Sequence, residues 1–77
     1  MILGGNMLYL MGNRWLSTPI EALHEYFHGD PPQDYVDQIP HLKWMESEIP
    51  KEGVAYFSTG KYYPNGNPVL LPIYYRE

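Results

Sequence analysis

The sequence predicts a small α+β fold: an antiparallel β-meander of three to four short strands packed against one amphipathic helix, with short helical turns beside it. Three observations point there. A capped segment with an apolar stripe occupies residues 18–28. Strand-like runs separated by Gly and Asn-Gly signals fill the last third. Eight Pro and seven Gly among 77 residues keep every element short. The length leaves room for a single domain, taken as residues 1–77.

The first element is Met7-Leu8-Tyr9-Leu10-Met11, a continuous apolar run between Gly4-Gly5-Asn6 and Gly12-Asn13. Bounded by turn signals, it reads as a buried strand. Arg14-Trp15-Leu16 returns from the second turn as a short extended piece.

The helix runs from Thr18 to His28. Ser17 or Thr18 caps it, and Pro19 suits the first helical position because its missing N–H has no partner there anyway. Glu21, three residues after Thr18, completes a capping box. Gly29 ends the helix, and Pro31-Pro32 prevents its continuation. At 100° per residue Ile20, Leu23, Tyr26 and Phe27 share one face, Glu21, Glu25 and His28 the other, and His24 the border.

A second, shorter helix starts after Asp30, which would cap it with Gln33 as the reciprocal residue. Tyr35, Val36 and Ile39 give it an apolar side, and Pro40 stops it. His41 to Glu48 forms another helical turn or two, with Leu42 and Met45 inward and Trp44 beside them. Pro50 and Gly53 then break the chain.

The last third reads as sheet. Val54-Ala55-Tyr56-Phe57 is a strand, Ser58-Thr59-Gly60 turns it into Lys61-Tyr62-Tyr63, and Pro64-Asn65-Gly66-Asn67 turns again. Val69 to Tyr75 is the final strand. Val69, Leu71, Ile73 and Tyr75 point to one face, and Leu70, Tyr74 and Arg76 to the other. Pro72 cannot donate to a ladder, so this strand is an edge or carries a bulge.

Composition excludes several function classes. Cysteine is absent, so no disulfide, iron–sulfur cluster or thiolate zinc site forms. Five Lys/Arg against nine Asp/Glu give a net charge of −4, with no basic run. Direct nucleic-acid binding needs clustered positive charge, so it is not expected. No apolar stretch approaches the roughly 20 residues of a membrane span. No signal-peptide pattern opens the chain. The expected location is the cytoplasm.

One motif carries chemistry. His24-Glu25-Tyr26-Phe27-His28 matches H-E-x-x-H. On a helix, residues four apart lie on one side, so two imidazoles reach one zinc ion and the intervening Glu polarises a bound water. These five residues resemble the zinc-binding helix of the zincin metallopeptidases. The resemblance implies a zinc-dependent hydrolase with His24 and His28 as ligands and Glu25 as general base. A third ligand would come from Asp30, Asp34, His41, Glu46 or Glu48, none at a diagnostic spacing. The helix ends at once after His28, and the Gly and third His of the metzincin extension are missing. The alternative is an ordinary amphipathic helix whose His28 suits the negative end of its dipole.

The aromatics suggest a different role. Ten of the twelve are Tyr or Trp, residues enriched where proteins meet partners. Tyr62 and Tyr63 are adjacent in a strand, as are Tyr74 and Tyr75, so one of each pair faces away from a core. Trp44 sits near a turn. Two loose acidic groups occur, Asp30, Asp34 and Asp37, then Glu46, Glu48 and Glu52; of these Asp30, Asp34, Asp37, Glu46 and Glu48 would meet a basic surface.

The leading expectation is therefore a small acidic, non-enzymatic protein-binding module with no cofactor. Its partner would be a larger protein, such as a nucleic-acid-processing complex, blocked by steric occlusion. By analogy of size and composition alone, phage- and mobile-element-encoded inhibitors of host proteins, anti-defence proteins included, share this build. Homo-oligomerisation through edge strands is a further expectation. The alternative is the zinc hydrolase.

Overall fold

The computed structural model of the chain describes residues 6–77. The Gly4-Gly5 turn signal lies outside them. A four-stranded antiparallel sheet carries two helices, an α+β arrangement. Strand β1 is Leu8–Leu10, helix α1 Pro19–Phe27 and helix α2 Gln33–Gln38, continued by a 3-10 turn at Ile39–His41. Then come β2 (Met45–Glu46), β3 (Glu52–Tyr62) and β4 (Pro68–Arg76). The sheet order is β1-β4-β3-β2. Strands β2, β3 and β4 form the meander, and β1 joins from the far end of the sequence.

Thr18 caps α1 as its residue type dictates. Its Oγ1 accepts the Glu21 N–H at 3.2 Å and donates to the Glu21 carboxylate at 3.1 Å. The helix stops at Phe27, one residue early. His28 takes the left-handed conformation, φ 57° and ψ 37°, and the Gly29 N–H closes back on the His24 carbonyl at 3.1 Å.

The register explains which face is buried. Ala55 pairs with Ile73 and Phe57 with Leu71, and side chains alternate along each strand. Ala55, Phe57 and Ile73 are fully buried beneath Ala22 and Leu23 of α1. Tyr9, Ile20, Phe27, Tyr35, Val36 and Leu71 pack around them. Rings link this layer: Phe27 to Tyr35 at 5.1 Å, and Tyr35 to Phe57 at 5.7 Å. Tyr26, expected on the apolar face, is instead exposed and packs edge-on against Phe27. It follows Ala22 by four residues and lines an open depression with Thr59, Lys61 and Leu71, where its ring stays open to solvent.

Three local expectations are corrected. Asp30 does not cap α2. Pro32 occupies the cap position without a side-chain bond, because Pro31-Pro32 carries the chain two residues beyond Asp30 before helical geometry begins. Residues after His41 are not helical. Leu42 turns extended, and Met45 and Glu46 pair with Val54 and Gly53. Gly53 admits this because a Cβ there would strike the Met45 carbonyl oxygen and lie 2.6 Å from the Tyr75 ring.

The third correction concerns Ser58-Thr59-Gly60. It does not reverse the chain; β3 runs through it to Tyr62. The segment is a bulge, with Ser58 opposite Leu70 and Tyr62 opposite Pro68. Three residues of β3 therefore face one of β4. Gly60 takes φ 78°, which costs glycine little, and the Thr59 hydroxyl donates to the Val69 carbonyl at 2.7 Å across the gap.

Pro72 sits in a central strand, yet its position obeys the edge rule. Strand β1 covers β4 only at Tyr74, Tyr75 and Arg76. Beyond that, the side of β4 that faced β1 is open, and Pro72 turns its missing donor there.

Candidate functional site

Two surfaces stand out once the core is assigned. The first is the β3–β4 hairpin beyond the bulge. The described chain spans 49 × 30 × 22 Å, with a radius of gyration of 13.4 Å. A compact chain of this length would have a radius near ~11.5 Å, so the long β3–β4 ladder makes the molecule elongated. At the hairpin's end the Tyr63 N–H bonds the Asn67 carbonyl at 2.8 Å, the Gly66 N–H the Tyr63 carbonyl at 2.9 Å, and the Asn67 N–H the Asn65 Oδ1 at 3.0 Å. Tyr62 is 69% exposed and Tyr63 54%. Among the described residues neither ring stacks on another, and neither belongs to the core.

The hairpin is held at its base by Gln38. Its Nε2 donates to the Ser58 carbonyl at 3.0 Å, and its Oε1 accepts the Ser58 N–H at 2.7 Å. The amide side chain thus stands in for a neighbouring strand. It also fixes which way β3 directs its bonding groups: Ser58, Tyr56 and Val54 point theirs away from β4, as the Met45–Val54 pairing requires.

The second surface is the sheet face opposite the helices. Its apolar residues are set by alternation: Leu8 and Leu10 of β1, Met45 of β2, Val54 and Tyr56 of β3, and Leu70, Pro72 and Tyr74 of β4. Met45, Tyr56, Leu70 and Tyr74 are each close to half exposed. Trp15 lies on this side with the Arg76 guanidinium 4.4 Å from its ring. Trp15, Met45, Val54 and Tyr74 help to line an open depression of about 290 Å³. Of the expected binding residues Tyr74 belongs here. Met45, expected to face inward, is instead exposed here because pairing with Val54 turns it to the uncovered face. Tyr56 and Leu70 join it, and their apolar character at positions opposite the buried set is the signal the sequence offers for them.

Trp44 occupies neither surface. It stacks between Tyr9, at 5.6 Å, and Tyr75, at 5.4 Å, on the helix side of the sheet. The acidic groups are also divided. Asp34 and Asp37 lie near Ser58–Gly60 at the hairpin base, and Asp37 accepts a hydrogen bond from Gln33 at 2.9 Å. Glu46 lies opposite Gly53, where its carboxylate accepts the Lys51 N–H at 2.9 Å. Five residues of β3 separate the two places, roughly 17 Å at the usual rise. Glu48 is exposed in the loop after β2, and Asp30 lies 3.8 Å from the His24 Nδ1. The acids thus form separate patches.

The H-E-x-x-H residues are arranged differently from a zinc helix. His28 has left the helix, so the one-turn stacking of its imidazole over His24 is lost. Glu25 is engaged by Arg14, whose Nη2 donates to its carboxylate at 2.8 Å. That guanidinium holds the Glu25 carboxyl below the usual glutamate range. Among the described residues no cluster of three or more His, Asp or Glu is placed to hold a metal ion, and no helix is long and apolar enough to cross a membrane.

The end strand β2 is only two residues long, and three other stretches of the sheet's edge are individually blunted. The outer side of β1 is taken by Leu16, which exchanges backbone bonds with Tyr9 at 2.7 and 2.8 Å. Gln38 covers β3 at Ser58. On the open side of β4 the outward positions are Pro68, Leu70 and Pro72, so only Leu70 offers an N–H. The chain matches no protein-family model, no curated protein and no solved structure.

Proposed function

We propose that the chain is a non-enzymatic protein-binding module that docks on a larger protein through its Tyr62–Tyr63 hairpin and covers a surface that protein uses. The observation that carries this reading is the pair of adjacent, highly exposed tyrosines held on a braced extension of the sheet. A tyrosine presents large area and a hydroxyl while losing only two side-chain torsions on binding, which is why such residues anchor interfaces. The bulge and the Gln38 brace order the hairpin beforehand, which lowers the entropic cost of docking. Asp34 and Asp37 at the hairpin base would form an acidic rim suited to a basic partner surface, such as that of a nucleic-acid-processing enzyme.

The experiment is capture of partners from the source cell with wild-type bait and with Tyr62→Ala/Tyr63→Ala bait. A partner that survives 0.5 M salt on the wild type and is lost from the double variant supports the reading, with affinity falling about 30-fold or more if the pair is a hot spot. Equal capture by both baits refutes it. Release by salt alone would move the contact to the acids.

A further inference from the structure

We infer that two copies of this chain pair face to face through the side of the sheet that the helices leave uncovered. This goes beyond the hairpin proposal and uses a different surface. The face is apolar, with Met45, Tyr56, Leu70 and Tyr74 at 45%, 43%, 44% and 47% exposure. An uncovered sheet face of this kind is what a second layer normally buries. A second copy supplies that layer by the symmetry commonest among oligomers, a two-fold axis that sets the same patch against itself.

Charge permits the approach. The chain carries −4 overall, and like-charged copies repel. The alternation of the strands places on this face one carboxylate, Glu52, directly across from one guanidinium, Arg76. Glu46 also lines the Trp15–Tyr74 end of this face, so its acids gather at one end and the stretch of Val54, Tyr56, Pro72 and Leu70 carries no charge. Asp34 and Asp37 belong to α2 on the other side of the sheet.

The route through strand edges is poorly equipped by comparison. Leu16 occupies the outer side of β1, the end strand β2 offers only two residues, Gln38 caps β3, and two of the three outward positions on the open stretch of β4 are proline.

Area sets the strength. A tyrosine ring brings on the order of 200 Å² when free, so Tyr56 and Tyr74 retain roughly 90 Å² each. With Met45, Leu70 and the half-buried neighbours, each copy offers ~500 Å², and the pair buries ~1,000 Å², the lower bound for a specific interface. The expected dimer is weak, with dissociation in the micromolar range or above.

Sedimentation equilibrium on the full chain between about 5 µM and 1 mM tests this, with backbone amide spectra as a check on folding. The expected result is a monomer–dimer equilibrium in the wild type that Tyr56→Lys weakens at least tenfold. Met45→Lys, on a two-residue strand, is the second variant should Tyr56→Lys disturb the fold. A wild type that stays monomeric up to 1 mM overturns the inference. So does a dimer that both folded variants preserve, since pairing would then run through another surface. Tyr62→Ala/Tyr63→Ala should leave the dimer unchanged, so failure here and failure of the hairpin reading are separable.

Discussion

Replacing Gln38 by alanine removes two short hydrogen bonds, at 2.7 and 3.0 Å, that join α2 to the edge of β3. A neutral hydrogen bond contributes about 0.5–1.5 kcal/mol net, and water can reach this site, so the loss should be about 1–2 kcal/mol. A chain of this length holds roughly 4–12 kcal/mol in all, so the protein stays folded. The effect should be local. The Ser58 amide loses its acceptor, and its hydrogen exchange should accelerate about tenfold, the factor that corresponds to 1.4 kcal/mol. Gln38→Glu separates donor from acceptor. Its carboxylate still accepts from the Ser58 N–H, but near neutrality its second oxygen opposes the Ser58 carbonyl. Below about pH 4, in the ordinary glutamate range, the protonated acid regains a donor and should restore part of the protection. Exchange of Ser58 at the wild-type rate in Gln38→Ala, with an unchanged urea midpoint, would refute the claim that this side chain braces the hairpin.

Further outcomes follow from the same geometry. Phe57→Ala, at a fully buried position, should cost about 3–5 kcal/mol in urea unfolding and bring the chain near its limit of stability. Glu25→Gln should lower the melting temperature at pH 7 by removing the partner of Arg14. Because the folded carboxyl titrates below its unfolded value, the wild-type advantage is complete above the ordinary glutamate range. It is lost as pH falls through the depressed folded value, so melting curves of the two proteins should converge in acid. Added zinc should leave the melting temperature of the wild type unchanged. A rise abolished by both His24→Ala and His28→Ala would restore the metal reading.

The α+β class and the start of α1 were legible because their signals are local. Thr18, Pro19 and Glu21 act within one helical turn, and Val69 to Tyr75 alternates in two-residue steps that any sheet must respect. Errors arose where a local signal had two readings. Ser58-Thr59-Gly60 has turn composition, but a bulge also uses a glycine with positive φ, and only the pairing of Ser58 with Leu70 and Tyr62 with Pro68 decides between them. Residues 41–48 carry weak helical spacing that is overridden by pairing with Val54 and Gly53. The exposed tyrosines of the hairpin were anticipated from their adjacency. The role of Gln38 was invisible, because its partner lies 20 residues away and a surface glutamine carries no pattern. The ring contacts of Trp44 carry no sequence pattern for the same reason: Tyr9 and Tyr75 come from opposite ends of the chain.

The sheet order also governs when the protein can take shape. Strand β4, last of the elements in sequence, is the strand to which both β1 and β3 pair. Its union with β3 closes a short loop, whereas Leu8 meets Arg76 across nearly the whole chain. Loop-closure entropy makes the longer closure costlier by about 2 kcal/mol. Assembly should therefore begin at the hairpin and finish with the arrival of β1. During synthesis β1, α1 and α2 emerge before the strand they depend on. Until Pro68–Arg76 is made, β1 has no strand to pair with and Leu23 lacks Ile73 beside it, so the core closes only with the last strand.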